Sequence, residues 1–479
     1  MTDPLSVLKR ATQFHHSARR SSSLSLVEDH TQPHTDDIYD FIGIGIGPFN
    51  LGLACLAQPI SELRGLFLEQ KSEFNWHPGM LLENVRLQTP FMADLVTMVD
   101  PTSPFSFLNY AKQNGRLYQF CIRENFFLLR QEYNLYCRWV IEQLSCLKFD
   151  TEVTHVDYLT ESACYRIQIR HTKSGRTGFY FSKRLILGTG TQPSVPSCCN
   201  KLHSHFVHSA KYLHNKAQLF QKNNIVLVGS GQSAAEIFYD LLQNIDQHHY
   251  ELHWFTRSAQ FSPMDYTKLT LEMTSPDYLE YFYHLSQQQR YQLIKQQTHL
   301  YKGINTDLIN NIYDLLYAKH LAHPGVTVTL HANSCLSEAY FNSATQQFTL
   351  DFFHQQQNKN FSKDCDALIL ATGYEYQLPR FLNGIKKRIV WEDGETENNV
   401  KPKVSRNYAI DFSGCEIFAQ NLGLNTHGFI TPDLSMAAYR NASIINAVLG
   451  HQYYSFEQNI AFQSFSAPDD IFSLTSARA

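Results

Sequence analysis

Gly43-Ile44-Gly45-Ile46-Gly47-Pro48-Phe49-Asn50 and Gly229-Ser230-Gly231-Gln232-Ser233-Ala234 are the segments of this chain whose residue types and spacing best fit chemistry. Each follows a short apolar run. In a strand–turn–helix of this kind the first glycine permits a tight bend and the second lets the backbone approach a pyrophosphate. The helix N-terminus then offers amide donors and the positive end of its dipole. Gly45 and Gly47 fit those roles in the first turn, with Asn50 where Gly or Ala is usual; Gly229, Gly231 and Ala234 fit them in the second. What answers each turn differs. Glu69, 24 residues beyond Gly45, ends the next apolar run, where a carboxylate can accept from the hydroxyls of an unphosphorylated ribose, as in FAD. Arg257 holds the matching place after the second turn, where a guanidinium pairs with a 2′-phosphate and so selects NADPH. Two such turns hold two dinucleotides, and a protein that holds two passes hydride from one to the other.

The elements that must carry these turns are legible as two strand–helix–strand units. Phe41–Ile44 reads as a buried strand, Leu51 to Leu56 as the start of a helix and Leu66-Phe67-Leu68 as a second strand. The second unit runs from Ile225–Val228 to Leu252–Phe255. Between Asn75 and Asn109 lies a long connection containing Pro78, Pro90, Pro101 and Pro104, and loops of that length tend to be functional. Helical segments follow around 125–144. Arg184–Gly190 is a strand entering a glycine turn, and Ala367–Gly373 repeats its shape; residues 266–322 have helical spacing. The expected class is α/β, with two Rossmann-like dinucleotide-binding domains and a small helical substrate-binding insert. The expected division is a disordered extension over 1–37, a discontinuous FAD domain over 38–204 and 366–479, an NADPH domain over 205–265 and 323–365, and the insert over 266–322.

Composition narrows the partners. With 40 basic and 44 acidic residues the formal charge is −4, and no long basic run exists, which argues against nucleic acid or an anionic membrane. No apolar run is long enough to span a bilayer, and Arg19-Arg20 lacks the apolar core of an export signal. Ten cysteines occur without a C-x-x-C pair, so neither zinc nor a thiol–disulfide centre is indicated, and a reducing cytoplasm is expected. No metal site is expected; a homo-oligomer is compatible with the chain.

Beyond the turns, Asn75-Trp76-His77-Pro78-Gly79-Met80, Asp100–Tyr110, Ala371-Thr372-Gly373-Tyr374 and Thr426-His427-Gly428 extend a pattern that resembles the flavin-dependent N-hydroxylating monooxygenases of siderophore biosynthesis, from about residue 38 to 450. The resemblance implies FAD at the first turn, with Pro48, Phe49, Leu51, Trp76, His77, Gln88, Val153, Pro432, Asp433 and Leu434 contributing. It implies NADPH at the second turn, through Gly229, Ser230, Gly231, Gln232, Ser233 and Arg257. Gln88 would lie near the flavin carbon that carries oxygen, and Ser435 beside the substrate. Taken singly, Trp76 and His77 are ordinary core residues and Gln88 a surface one; their joint match favours the site.

One departure points to the substrate. Members acting on amino acids place a Lys, which pairs with the α-carboxylate, in the segment here written Thr89–Leu95, and this chain has Ala93 there. The two Asn contacts to the same group fall on Leu271 and Leu300. An α-carboxylate buried there without a cation or amide donor is strongly disfavoured. The resemblance therefore implies N-hydroxylation by O2, through an oxygen adduct at the flavin C4a carbon, of a primary amine, most simply the diamines putrescine or cadaverine. Lysine, ornithine and histamine are the alternatives, and Asp265, Glu272 and Asp277 are candidate acceptors for the distal ammonium. A Baeyer–Villiger-type monooxygenase and a non-catalytic nucleotide-binding relative are more distant readings. A disulfide reductase lacks its cysteine pair.

Overall fold

The computed structural model describes residues 35–203, 205–392 and 401–467. The disorder expected over 1–37 falls almost wholly outside them.

Two five-stranded parallel sheets form the frame. In the first the order is Ile417–Ala419, Leu185–Leu187, Phe41–Ile44, Gly65–Leu68, Leu147–Lys148. In the second it is Val207–His208, Ala367–Leu370, Asn224–Val228, Glu251–Phe255, Val328–His331. Each central strand is apolar on both faces, as a doubly covered parallel strand must be. Each feeds a glycine turn and then a helix, Pro48–Ala57 or Gln232–His248. Antiparallel layers are set apart from the parallel sheets: Thr151–Leu159, Cys164–His171 and Thr177–Ser182 in one, and Ser334–Asn342, Gln347–His354 and Lys359–Cys365 in the other.

The two sheets repeat one local device. A Cβ on Gly45, whose φ is +92°, would lie 2.4 Å from the carbonyl oxygen of Gly188; one on Gly229 would lie 2.3 Å from that of Ala371. In both sheets the neighbouring strand ends in a backbone that presses on the turn, so a side chain has no room there. This is why 184–190 and 367–373 look alike in sequence.

Two expectations change. Ala367–Leu370, assigned by its place in the chain to the return into the first unit, pairs instead within the second sheet, between Val207–His208 and Asn224–Val228. Nor do residues 266–322 form one body. Ile312, with Leu308, Ile309, Leu315 and Leu316 of the Thr306–Ala322 helix, packs into the core of the second sheet. Tyr278, Leu279 and Phe282 of the Pro276–His284 helix are buried in the core of the first. Among the described residues no helix is long and apolar enough to cross a membrane.

Candidate active site

Both glycine turns open on one cavity of about 2620 Å³, several times the roughly 300–1,000 Å³ usual for a single small ligand. The Pro48–Ala57 and Gln232–His248 helices begin at Gly47 and Gly231, and neither N-terminus has a side-chain cap. A Cβ on Gly47 would meet no atom within 4 Å. Uncapped amides at two helix N-termini facing cavity space fit two pyrophosphates.

Asn50 explains itself. Its amide nitrogen donates to Gly45 O at 2.8 Å, its Oδ1 accepts from Gln420, and the position of a Cβ on Gly188 is 2.3 Å from its Nδ2. The bulk absent from the neighbouring strand is supplied from the helix, so the turn needs no third glycine. Glu69 lies on the cavity wall and accepts from the backbone N–H of Ile46 and of Lys71, each at 2.9 Å.

The connection over 75–109 is held in place by buried polar groups. Asn134 accepts from the Trp76 N–H and donates to Asn75, while Arg138 donates to Phe74 O. Trp76 meets Tyr133 edge-on at 5.2 Å and His77 at 4.9 Å. His77 has φ +50°, and a Cβ on Gly79 would sit 2.0 Å from Ala210 O, so only glycine lets these backbones touch. The carboxylate of Asp94 accepts from the N–H groups of Val96, Thr97 and Phe107 and from the Thr97 hydroxyl, which fixes the neighbouring Ala93 on the wall. His77 is exposed to the cavity; the protein packed around it first, then the charges of Arg130 and Lys71, lowers its pKa to about 4.

Gln88 ties the 75–109 connection to the second turn. Its Nε2 donates to Gln232 Oε1 at 3.3 Å, and its carbonyl accepts from the Tyr266 hydroxyl at 2.8 Å. Gln232 also accepts from Asn305 N–H and donates to Glu236. Glu236 is buried in a bidentate pair with Arg130, at 3.0 and 2.9 Å, and Arg130 donates to Met80 O. Arg130, Glu236 and Tyr266 carry no motif of their own, and the sequence reading missed them; the spacing of Gln232 and Glu236 on one helix face was the only signal.

The remaining expected residues divide. Pro48, Phe49, Ser230, Ser233, Arg257, Leu271, Leu300, Pro432, Asp433, Leu434 and Ser435 all line the cavity. Ser435 donates through both N–H and hydroxyl to Asp433 at 2.8 Å, yet burial still raises the Asp433 carboxyl above its ordinary range. Gly45, Asn50, Leu51 and Val153 are not on the wall. Leu51 and Val153 are core residues, the latter turned inward by strand alternation. Of the three acids offered to a distal ammonium, only Asp265 lines the cavity, and it already accepts from Thr267 and Thr270. Glu272 accepts from the N–H groups of Phe462 and Gln463, and Asp277 from those of Ile460 and Ala461. Their carboxylates pin a C-terminal strap, which in turn brings Ser455, Phe456, Glu457 and Ile460 onto the cavity wall. Thr89 and Thr431 line the cavity, and their buried hydroxyls have no hydrogen-bond partner within the protein.

Comparison with known proteins matches residues 37–376 to the family model described as L-lysine 6-monooxygenase/L-ornithine 5-monooxygenase. A putrescine N-hydroxylase from Shewanella oneidensis is 51% identical over 429 residues, which are 90% of this chain and 84% of that one. A second putrescine N-hydroxylase, from Acinetobacter baumannii, is 45% identical over 433 residues, 90% and 95% of the two chains. Among solved structures, the cadaverine monooxygenase DfoA of the desferrioxamine pathway from Erwinia amylovora, bound to FAD, superposes with a TM-score of 0.87 at 49% identity, covering 91% of this chain and all of that one.

Proposed function

We infer that this chain, which belongs to the L-lysine 6-monooxygenase/L-ornithine 5-monooxygenase family, hydroxylates one nitrogen of an aliphatic diamine, putrescine or cadaverine, in siderophore biosynthesis. It is a flavin-dependent N-monooxygenase that uses FAD and NADPH. The observation that carries the substrate is the wall formed by Ala93, Leu271 and Leu300. At the three places where an amino-acid substrate would need a cation and two amides, alkyl groups face the cavity. A diamine has no carboxylate to strand there.

When bound, NADPH supplies the hydride and FAD the place where O2 is reduced and activated. The chain binds, orients and excludes water. Gly47 and Gly231 would leave room for the pyrophosphates, Glu69 would take ribose hydroxyls and Arg257 the 2′-phosphate. Trp76 and His77 would contribute to the flavin site, with Gln88 held by Gln232 and Tyr266. Pro432, Asp433 and Leu434 would contribute to the same site from the C-terminal segment, and Ser435 would meet the amine.

An aliphatic amine titrates near 10.4, so at pH 7 only about one molecule in 2,500 carries a free lone pair. Met92, Ala93, Met98, Val99 and Leu271 give the amine a weakly polar surround that favours the neutral form. The ten cysteines are free thiols, which suits a reducing compartment, and we read the enzyme as cytoplasmic.

Turnover with putrescine, cadaverine, histamine, lysine and ornithine, scored as hydroxylamine formed, tests the reading. The diamines should lead; a preference for lysine or ornithine would overturn it.

A further inference from the structure

Lys302 stands outside everything assigned so far. It follows the short helix Gln297–Leu300, its N–H bonded to Thr298 O, and its carbonyl oxygen lies 3.5 Å from where a Cβ of Gly231 would be. The segment thus lies directly against the second glycine turn. Its side chain lines the same cavity as Arg257. Among the described residues neither cation has a carboxylate partner; the Lys302 ammonium meets only the Tyr301 ring, 5.2 Å from its centroid. The surrounding protein, and after it the charge of Arg257, holds the Lys302 ammonium below the ordinary lysine range. Two like charges on one cavity wall without a counter-charge repel each other, and an anion bound by both relieves it.

The uncapped N-terminus of the Gln232–His248 helix, 17 residues long, adds positive potential at the same turn. That terminus suffices for a pyrophosphate. A second, separate anion is what the Arg257–Lys302 pair calls for.

We propose that Lys302 joins Arg257 in binding the 2′-phosphate of NADPH, and so sets the preference for NADPH over NADH. The proposal rests on the reading of the second turn as the NADPH site. It also gives the segment 297–302 two duties, since Leu300 faces the amine and Lys302 the dinucleotide.

Lys302→Gln, Lys302→Arg and Arg257→Gln in the FAD-loaded enzyme test this, with KM measured for NADPH and for NADH and the binding of adenosine 2′-monophosphate measured by calorimetry. K302Q should raise the KM for NADPH roughly tenfold, weaken adenosine 2′-monophosphate to a similar degree and leave the KM for NADH unchanged; K302R should restore most of the loss. Equal losses with NADPH and NADH would place Lys302 on the shared pyrophosphate and overturn the proposal, as would no change with either. If R257Q loses the preference while K302Q keeps it, only the part given to Lys302 fails. If both keep it, the NADPH reading of Arg257 fails as well.

Discussion

Gln88 donates its side-chain amide to Gln232 Oε1 across 3.3 Å, joining the 75–109 connection to the second glycine turn by one hydrogen bond between residues 144 apart in sequence. The direction of that bond is fixed. Gln232 Oε1 also accepts from the Asn305 N–H at 2.8 Å, so it is the oxygen, and Gln88 must present nitrogen. Gln232→Leu removes the acceptor and strands both donors. We expect Gln88 to lose its orientation and hydroxylamine formed per NADPH consumed to fall several-fold, roughly the rate equivalent of 1 kcal/mol. Peroxide release measured beside product formation checks it; unchanged coupling would dismiss the link.

Arg130 and Glu236 form a bidentate pair with little exposure on either side. Breaking such a pair from one side leaves a buried charge and costs about 3–5 kcal/mol, whereas replacing both partners costs far less. Glu236→Gln should therefore lower the melting temperature clearly, and Arg130→Met with Glu236→Leu should recover much of the loss. Additive losses in the double variant would show that the pair does not act as a unit.

Gly45 and Gly47 are two residues apart but should fail differently. A side chain at Gly45 meets the Gly188 carbonyl and an unfavourable φ of +92°, so Gly45→Ala should damage folding itself. Gly47 has a φ of −95° and free space, so Gly47→Ala should leave the flavin-free protein as stable as before, while its methyl group blocks the pyrophosphate. At least a tenfold loss of FAD affinity, about 1.4 kcal/mol, is expected by fluorescence titration.

Ala93 is buried at 3% exposure on the cavity wall. Ala93→Lys places a cation where a diamine brings its own positive charge. The kcat/KM for putrescine should drop at least tenfold, about 1.4 kcal/mol, and the lysine-to-putrescine activity ratio should rise. An unchanged ratio would remove Ala93 from the list of selectivity residues.

His427 is fully buried, and burial lowers its pKa to about 3. Its Nε2 donates to Arg406 O, so Nδ1 accepts from the Thr426 hydroxyl and the ring is neutral. The unfolded chain takes up this proton near pH 6.5 and the folded one only far below, so stability is complete above pH 6.5 and declines as pH falls toward 3. By pH 3.5 the loss is roughly 4 kcal/mol at 1.36 kcal/mol per pH unit. Melting temperatures across that range should fall more steeply for the natural protein than for His427→Gln.

The two strand–turn–helix units were legible because a glycine turn after an apolar run is local information. The likeness of 184–190 to 367–373 was legible too, since each backbone presses on a glycine of its own sheet. What pairs across long stretches of chain was not. Ala367–Leu370 joins the second sheet through neighbours that sequence order does not name. The helices of 266–322 divide between two cores according to which apolar stripe meets which sheet. Glu272 and Asp277 looked like acids free to meet an ammonium because backbone N–H groups 183 to 191 residues away leave no trace in composition.

That grip on Ile460–Gln463 has a practical side. Four main-chain N–H groups are caught by two acids, Glu272 just past the Lys268–Leu271 helix and Asp277 in the first turn of the Pro276–His284 helix. Fusions or affinity handles grafted in place of this stretch would leave those acids with free charge and open a seam beside the reactants.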